Sequence, residues 1–199
     1  MTFKDLKKEY IVEAATKLFL NNGISLTTYK DISSVSNVGE ATLYRYFPHK
    51  ENLAEAVAIK LQKDIFSSFN LEHKESSGLK MIEEFYAIFK HVFTYHLEYF
   101  RFISEFDTLY LSSINSESYS DTLDTFKELY MSFYKKGLID KSIKEYSNIE
   151  LFYFTSTHAL LELCKKLASE KSSLKQDLDI KKVDEVNTLI NIFISVLKA

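Results

Sequence analysis

The sequence predicts an all-α protein, and three observations carry that expectation. Only four glycines and one proline occur in 199 residues, which leaves few of the breakers that many short strands and turns need. Apolar residues recur at three- and four-residue spacings along most of the chain. Helix-capping signals stand at the joints between those runs. A hydrophobic content of 46% and a charged content of 27% suit a globular chain rather than a disordered one. The length allows one large domain, or a small one joined to a larger.

The first helix is expected to start at Thr2, with Asp5 placed as an acid in the positive first turn. Ile11, Ala15, Leu18 and Phe19 then recur at i, i+4, i+7 and i+8 as one buried stripe. Asn21-Asn22-Gly23 closes the helix, since glycine accepts the left-handed backbone that ends helices. Thr27 and Thr28 cap a short second helix, Tyr29 to Ser36, which carries Ile32 and Val35 inward. After the turn Asn37-Val38-Gly39 comes a third helix, Glu40 to Tyr46, stopped by Pro48. A long fourth helix runs from Lys50 to Phe69, with Leu53, Val57, Leu61 and Ile65 along one edge.

Two short helices joined by a compact turn and packed on a first helix make a helix-turn-helix, whose second helix enters the major groove of DNA. On that geometry Glu40, Ala41, Tyr44 and Arg45 face outward, while Leu43 and Phe47, four apart, face the core. Tyr44, Arg45 and Tyr46 offer polar tips, and Lys50 stands at the next helix's N-terminus, where backbone N–H groups favour phosphate. Arg45, with its planar fork, is the expected base or phosphate contact. Spacing alone leaves open a plain helical hairpin with merely solvated charges. Charge does not decide: residues 1–60 hold eight Lys/Arg against seven acids, a balance of +1 within a chain of net charge −3.

At these residues the sequence resembles the tetracycline-repressor (TetR) family of bacterial transcription regulators. The stretch "TTYKDISSVSNVGEATLYRYFPHKENL", Thr27 to Leu53, resembles the family's helix-turn-helix signature in order, spacing and length. Upstream, "AATKLFLNNG" is similar to the end of its first helix. The resemblance covers about residues 5–60. It implies a three-helix DNA-binding domain over residues 1–48 and a larger helical ligand-binding and dimerisation domain over 49–199, about nine helices in all. It implies that Thr27 or Thr28, Tyr46 and Lys50 hold the DNA backbone, and that Gly39, Glu40, Ala41, Thr42, Tyr44 and Arg45 lie at or near base edges. Two positions depart from the family pattern: many relatives have serine where Gly39 stands, and often lysine or a similar group near Glu40. An acid there either accepts from a cytosine amino group or favours the helix N-terminus electrostatically. The second is the preferred reading.

From about residue 78 onward the chain reads as amphipathic helices with polar joints. Phe85, Phe89, Val92, Phe93 and His96 share one face; Phe102, Phe106, Leu109 and Tyr110 belong to the next helix. After the joint "SSINSES", Phe126, Leu129, Tyr130 and Phe133 line a helix expected to end near Gly137. Ser147-Asn148-Ile149-Glu150 reads as a capping box opening a helix through Leu151, Phe154, His158, Leu161 and Leu167. The stretch "SEKSSLKQDLD" is expected to be a polar linker. Val183, Val186, Ile190, Phe193 and Leu197 form nearly a coiled-coil seam on the last helix. They are the expected dimer interface; the alternative is that they cover the chain's own core.

Ligand-pocket candidates are Phe89, Phe93, His96, Phe102, Phe106, Tyr130, Phe133, Phe154 and His158, because apolar cavities with a few polar groups bind small ligands. No catalytic residue, cofactor or metal site is expected. His158 and Glu162 share a helix face, but no third ligand, nucleophile elbow or phosphate-binding glycine loop accompanies them. Cys164, the one cysteine, has no internal disulfide partner. Met1 to Tyr10 is charged rather than apolar, and no run approaches a membrane span, so the cytoplasm is the expected compartment. The functional expectation is a repressor that binds a palindromic operator as a homodimer and is released by a small apolar or aromatic inducer. The alternative is a helical binding protein for lipids or apolar metabolites without DNA-binding activity.

Overall fold

The structure, a computed structural model, describes residues 3–68, 76–110, 117–169 and 181–199. Among them lie nine helices: α1 (Phe3–Asn22), α2 (Tyr29–Ser36), α3 (Glu40–Tyr46), α4 (Lys50–Ser67), α5 (Gly78–Tyr95), α6 (Leu97–Tyr110), α7 (Glu117–Ile139), α8 (Ile149–Ala168) and α9 (Lys182–Leu197). The described residues form no strand; a single antiparallel bridge joins Ile143 to Lys198. The fold is all-α. Thr2 and Phe69, most of the "SSINSES" joint and all but Ser169 of the "SEKSSLKQDLD" stretch lie outside the described residues.

Two hydrophobic clusters organise these helices. The first joins Ile11, Ala15 and Phe19 of α1 to Ile32 of α2, Leu43 of α3 and Leu53, Val57 and Ala58 of α4. It extends into α6 through Phe102, Ile103 and Phe106, and into α7 through Tyr119. Phe102 stacks on Phe19 at 6.3 Å between ring centroids. The second cluster fills the space between α5, α7, α8 and α9 with Phe85, Tyr86, Tyr130, Phe133, Tyr153, Leu160, Val186 and Leu197. Its polar centre is a chain of hydroxyls: Tyr86 bonds both Tyr130 (3.0 Å) and Ser156 (2.7 Å), and Ser156 donates to the Tyr153 carbonyl (3.1 Å). Buried hydroxyls need such partners.

Two local expectations change and one holds. Val35 does not turn inward; it is 48% exposed, and the buried contact on that side of α2 comes from Ser36. α7 ends at Ile139, near Gly137 as expected, and Gly137 packs against the backbone at Gly78: a Cβ on Gly78 would overlap the Gly137 backbone. The α8 cap is Asn148, whose side chain accepts from the Leu151 N–H (3.0 Å), rather than the Ser147 box. Cys164 is buried, and burial pushes its thiol up to about 12, so it stays protonated at neutral pH.

Candidate nucleic-acid interface

The helix-turn-helix is built from local caps. Thr28 precedes α2 in extended backbone and forms a reciprocal cap with Asp31. The Asp31 N–H donates to Thr28 Oγ1 (3.2 Å), and the Thr28 N–H and hydroxyl donate to Asp31 Oδ2 (2.8 and 2.6 Å). These bonds, the Thr28 side chain's first, hold the Asp31 carboxyl below the usual range. At the other end of α2, Asn37 takes the left-handed conformation (φ 52°). The Ser36 hydroxyl donates to the Ile32 carbonyl (2.6 Å) and accepts from the Val38 N–H (3.3 Å). The turn is thus fixed before α3, whose N-cap is Gly39; the Gly39 carbonyl accepts from the Thr42 and Leu43 N–H groups (2.8 and 3.1 Å).

Leu43 and Phe47 are buried at 0% and 2% exposure and set the roll of α3. The roll leaves Gly39, Glu40, Ala41, Tyr44 and Arg45 exposed, with Thr42 and Tyr46 half-buried. Tyr44 is held edge-on against Tyr29 at 4.4 Å. The Tyr29 hydroxyl donates to the Phe47 carbonyl (2.7 Å), and burial, then the neighbouring Tyr44, pushes its pKa up to about 12. The Arg45 guanidinium sits 5.6 Å from the Tyr46 ring centroid. The outward strip therefore offers one carboxylate, one methyl, a phenol and a guanidinium on a rigid support, the groups with which base edges and phosphates are read.

The backbone-holding candidates divide. Thr27 is a correction: it is fully buried, and its hydroxyl donates to the Gly23 carbonyl (2.8 Å), closing the α1–α2 turn rather than facing out. Thr28 is exposed, with its hydroxyl proton engaged by Asp31. Lys50 is half-buried at the start of α4, and its ammonium donates to the Ser25 carbonyl (3.3 Å). Burial lowers its pKa, and Glu105 and Asp31 partly counter that.

Two groups escaped the sequence reading. Lys8 of α1 places its ammonium 5.6 Å from the Phe47 ring, beside the end of α3; the signal available was the basic run Lys4, Lys7, Lys8. Glu105 of α6 accepts from the Ile24 N–H (2.6 Å) and the Ser25 N–H (2.7 Å). Burial tends to raise its pKa, but those bonds and Lys50 outweigh it and hold the carboxyl below its ordinary value. No local sequence signal points to a partner 80 positions away.

Residues 11–57, which hold α2, α3 and the turn between them, match the model of the bacterial regulatory proteins of the tetR family. These residues form a helix-turn-helix domain of the TetR family. The chain thus has the DNA-binding domain of a TetR-type transcriptional regulator. It is 23% identical over 194 residues to the biofilm operon icaADBC HTH-type negative transcriptional regulator IcaR of Staphylococcus aureus, covering 94% of this chain and 98% of that one. Among solved structures it resembles the fatty acid degradation regulator FadR from Bacillus halodurans (TM-score 0.68, 15% identity, 94% of each chain). It also resembles RolR in complex with the ligand resorcinol (TM-score 0.63, 16% identity, 97% of this chain and 88% of that one). At these identities the structural likenesses establish the fold shared with TetR-family proteins.

The ligand-pocket candidates fall in different parts of the structure. Phe102 and Phe106 belong to the first cluster, with Phe19. Phe93, Tyr130 and Phe133 are packed in the second, with Phe89 half-buried at its edge. His96, Phe154 and His158 are exposed. A cleft of about 350 Å³ between α4 and α7 is lined by Lys63, Phe66, Ser118, Asp121, Thr122 and Thr125. Gln62, on α4, is buried and leaves its carboxamide oxygen without a hydrogen-bond partner among the described residues. Glu162, on the helix face it shares with His158, pairs with Lys165 (2.6 Å).

The expected dimer seam is also redirected. Val186, Ile190 and Leu197 are buried in the second cluster. Phe193 packs on Tyr86 at 5.7 Å and Phe152 at 6.1 Å, and Val183 is half-buried. Most of the stripe covers the chain's own core, facing the rings of α5 and α8, while Val183 and Phe193 stay half-buried. The exposed apolar side chains in this region are Leu151 (61%) and Phe154 (41%) on α8 and Ile192 (52%) on α9.

Proposed function

We propose that this regulator is a repressor that binds a palindromic operator as a homodimer, with residues 1–48 reading DNA and residues 49–199 pairing the subunits and taking a small apolar or aromatic ligand. The observation that carries the DNA-reading part is the roll of α3, with Leu43 and Phe47 inside and Gly39, Glu40, Ala41, Tyr44 and Arg45 outside. On this reading those outward residues and Thr42 lie at or near base edges, while Thr28, Tyr46 and Lys50 approach the phosphates. Repression is supported by the similarity to IcaR, a negative regulator, over nearly the whole chain. An aromatic ligand is supported by the fold shared with RolR, which binds resorcinol.

Release requires a ligand that favours a different spacing of the two recognition helices. A tenfold loss of operator affinity needs about 1.4 kcal/mol of differential binding between the two forms. α4 is suited to carry the change, since it packs on α1 and also borders the α4–α7 cleft. The deciding experiment is a gel shift with the DNA upstream of the protein's own gene, at two stated salt concentrations and with competitor duplex. A saturable shift that resists competitor supports the reading; binding no tighter than to unrelated duplex removes it.

A further inference from the structure

Glu40 stands where a DNA-reading surface should least tolerate a negative charge. It is the first residue of α3 and exposed, in the part of a recognition helix that meets base edges. Among the described residues no hydrogen bond or ion pair holds its carboxylate. The Gly39 cap beside it adds no side chain, and even a Cβ there would meet nothing within 4 Å. The nearest guanidinium on the helix, that of Arg45, lies over Tyr46. Tyr44, one turn along the same face, is fixed against Tyr29. The carboxylate therefore meets the groove unneutralised, beside a rigid neighbour.

Inside the major groove a bare carboxylate is repelled by the phosphates on both walls. Guanine and thymine present acceptors there, N7 and O6 or O4, which repel it further. The base-edge donors are the amino groups of cytosine and adenine, and adenine sets its N7 acceptor next to the donor. Cytosine offers the donor without that neighbour. We propose that Glu40 is a specificity-determining residue that selects a cytosine at one fixed position in each half of the operator. Resting on the operator-binding reading above, the inference adds which base this surface reads. A carboxylate that only favours the helix N-terminus would act in the free protein and leave base preference alone.

Selection from a randomised duplex pool tests this, using the full chain as wild type, Glu40→Ala and Glu40→Gln. The wild-type pool is expected to hold one cytosine per half-site favoured about tenfold or more over the other bases. Glu40→Ala is expected to flatten that position and leave the others as they were. Glu40→Gln is expected to shift it toward adenine, whose N6 and N7 suit a carboxamide; a new preference cannot come from a misfolded protein. A Glu40→Ala pool identical to wild type, or a wild-type preference for guanine, thymine or adenine at the position that Glu40→Ala flattens, overturns the inference alone. A pool that the wild type fails to enrich overturns operator reading and this inference together.

Discussion

Glu105 and Arg45 show how single side chains do two different jobs at this interface. Glu105 clamps the α1–α2 turn from α6, with one carboxylate oxygen on each of two backbone N–H groups. Gly23, at φ 86°, brings the backbone within 3.0 Å of that carboxylate at the position a Cβ would take. Because the folded-state pKa lies below the ordinary carboxylate value of 4.5, the folded form binds fewer protons than the unfolded one in that range. The stabilisation is complete above the unfolded pKa and is lost as pH falls through the folded one. Glu105→Gln puts an amide group against one of the two donors. It is expected to cost about 1–2 kcal/mol at pH 7, with the gap to wild type closing below about pH 4. Urea unfolding at both pH values checks this; a gap independent of pH would mean the charge is not what holds the turn. Arg45 acts outward. Arg45→Ala is expected to weaken operator binding about tenfold or more, and Arg45→Lys to restore only part of it, because a point charge lacks the guanidinium fork. Affinity unchanged by Arg45→Ala across a salt titration would remove Arg45 from the interface.

Elements differ in how openly the sequence announced them. α2 and α3 have the expected limits, Tyr29–Ser36 and Glu40–Tyr46, because their ends are set by residues within three positions, Thr28 with Asp31 and Ser36 with Val38. The amphipathic stripe of α9 was legible as apolar but not as inward or outward. Periodicity marks a face; it does not say what covers it, and here α5 and α8 do. Thr27 and Thr28 are chemically alike neighbours, yet the turn buries one and exposes the other. The contribution of α1 was hidden for a similar reason, since its basic residues acquire a role only once α3 ends beside them. With Lys8 next to Phe47, α1 extends the cationic edge of the reading surface. Lys8→Ala is therefore expected to lower the slope of log affinity against log salt by about 1 per subunit, with base preference unchanged. An unaltered slope would place Lys8 outside the phosphate track.

At the scale of the whole molecule, one recognition helix is not enough: a two-fold operator requires two, set about 34–36 Å apart on successive turns of the groove. On the homodimer reading proposed above, pairing uses an outer face, since most of the α9 stripe is committed to the core. The Phe152 and Phe193 rings, 6.1 Å apart, bring the start of α8 beside the C-terminal half of α9. Leu151, Phe154 and Ile192 project from those same stretches into solvent. In a two-fold contact each such side chain is buried twice, once per subunit, at about 1.5–3 kcal/mol apiece. Leu151→Glu combined with Ile192→Glu is expected to raise the dimer dissociation constant at least about a hundredfold, because four carboxylates would then face one another in the interface. Both positions are exposed in the single chain, so its own fold should change by less than about 0.5 kcal/mol each. Sedimentation at micromolar concentration reads the outcome beside circular dichroism. A folded monomer that no longer binds a palindrome, yet keeps weak salt-dependent affinity for a half-site, is the expected result. A double variant that still sediments as the wild-type dimer would move the subunit contact to another face.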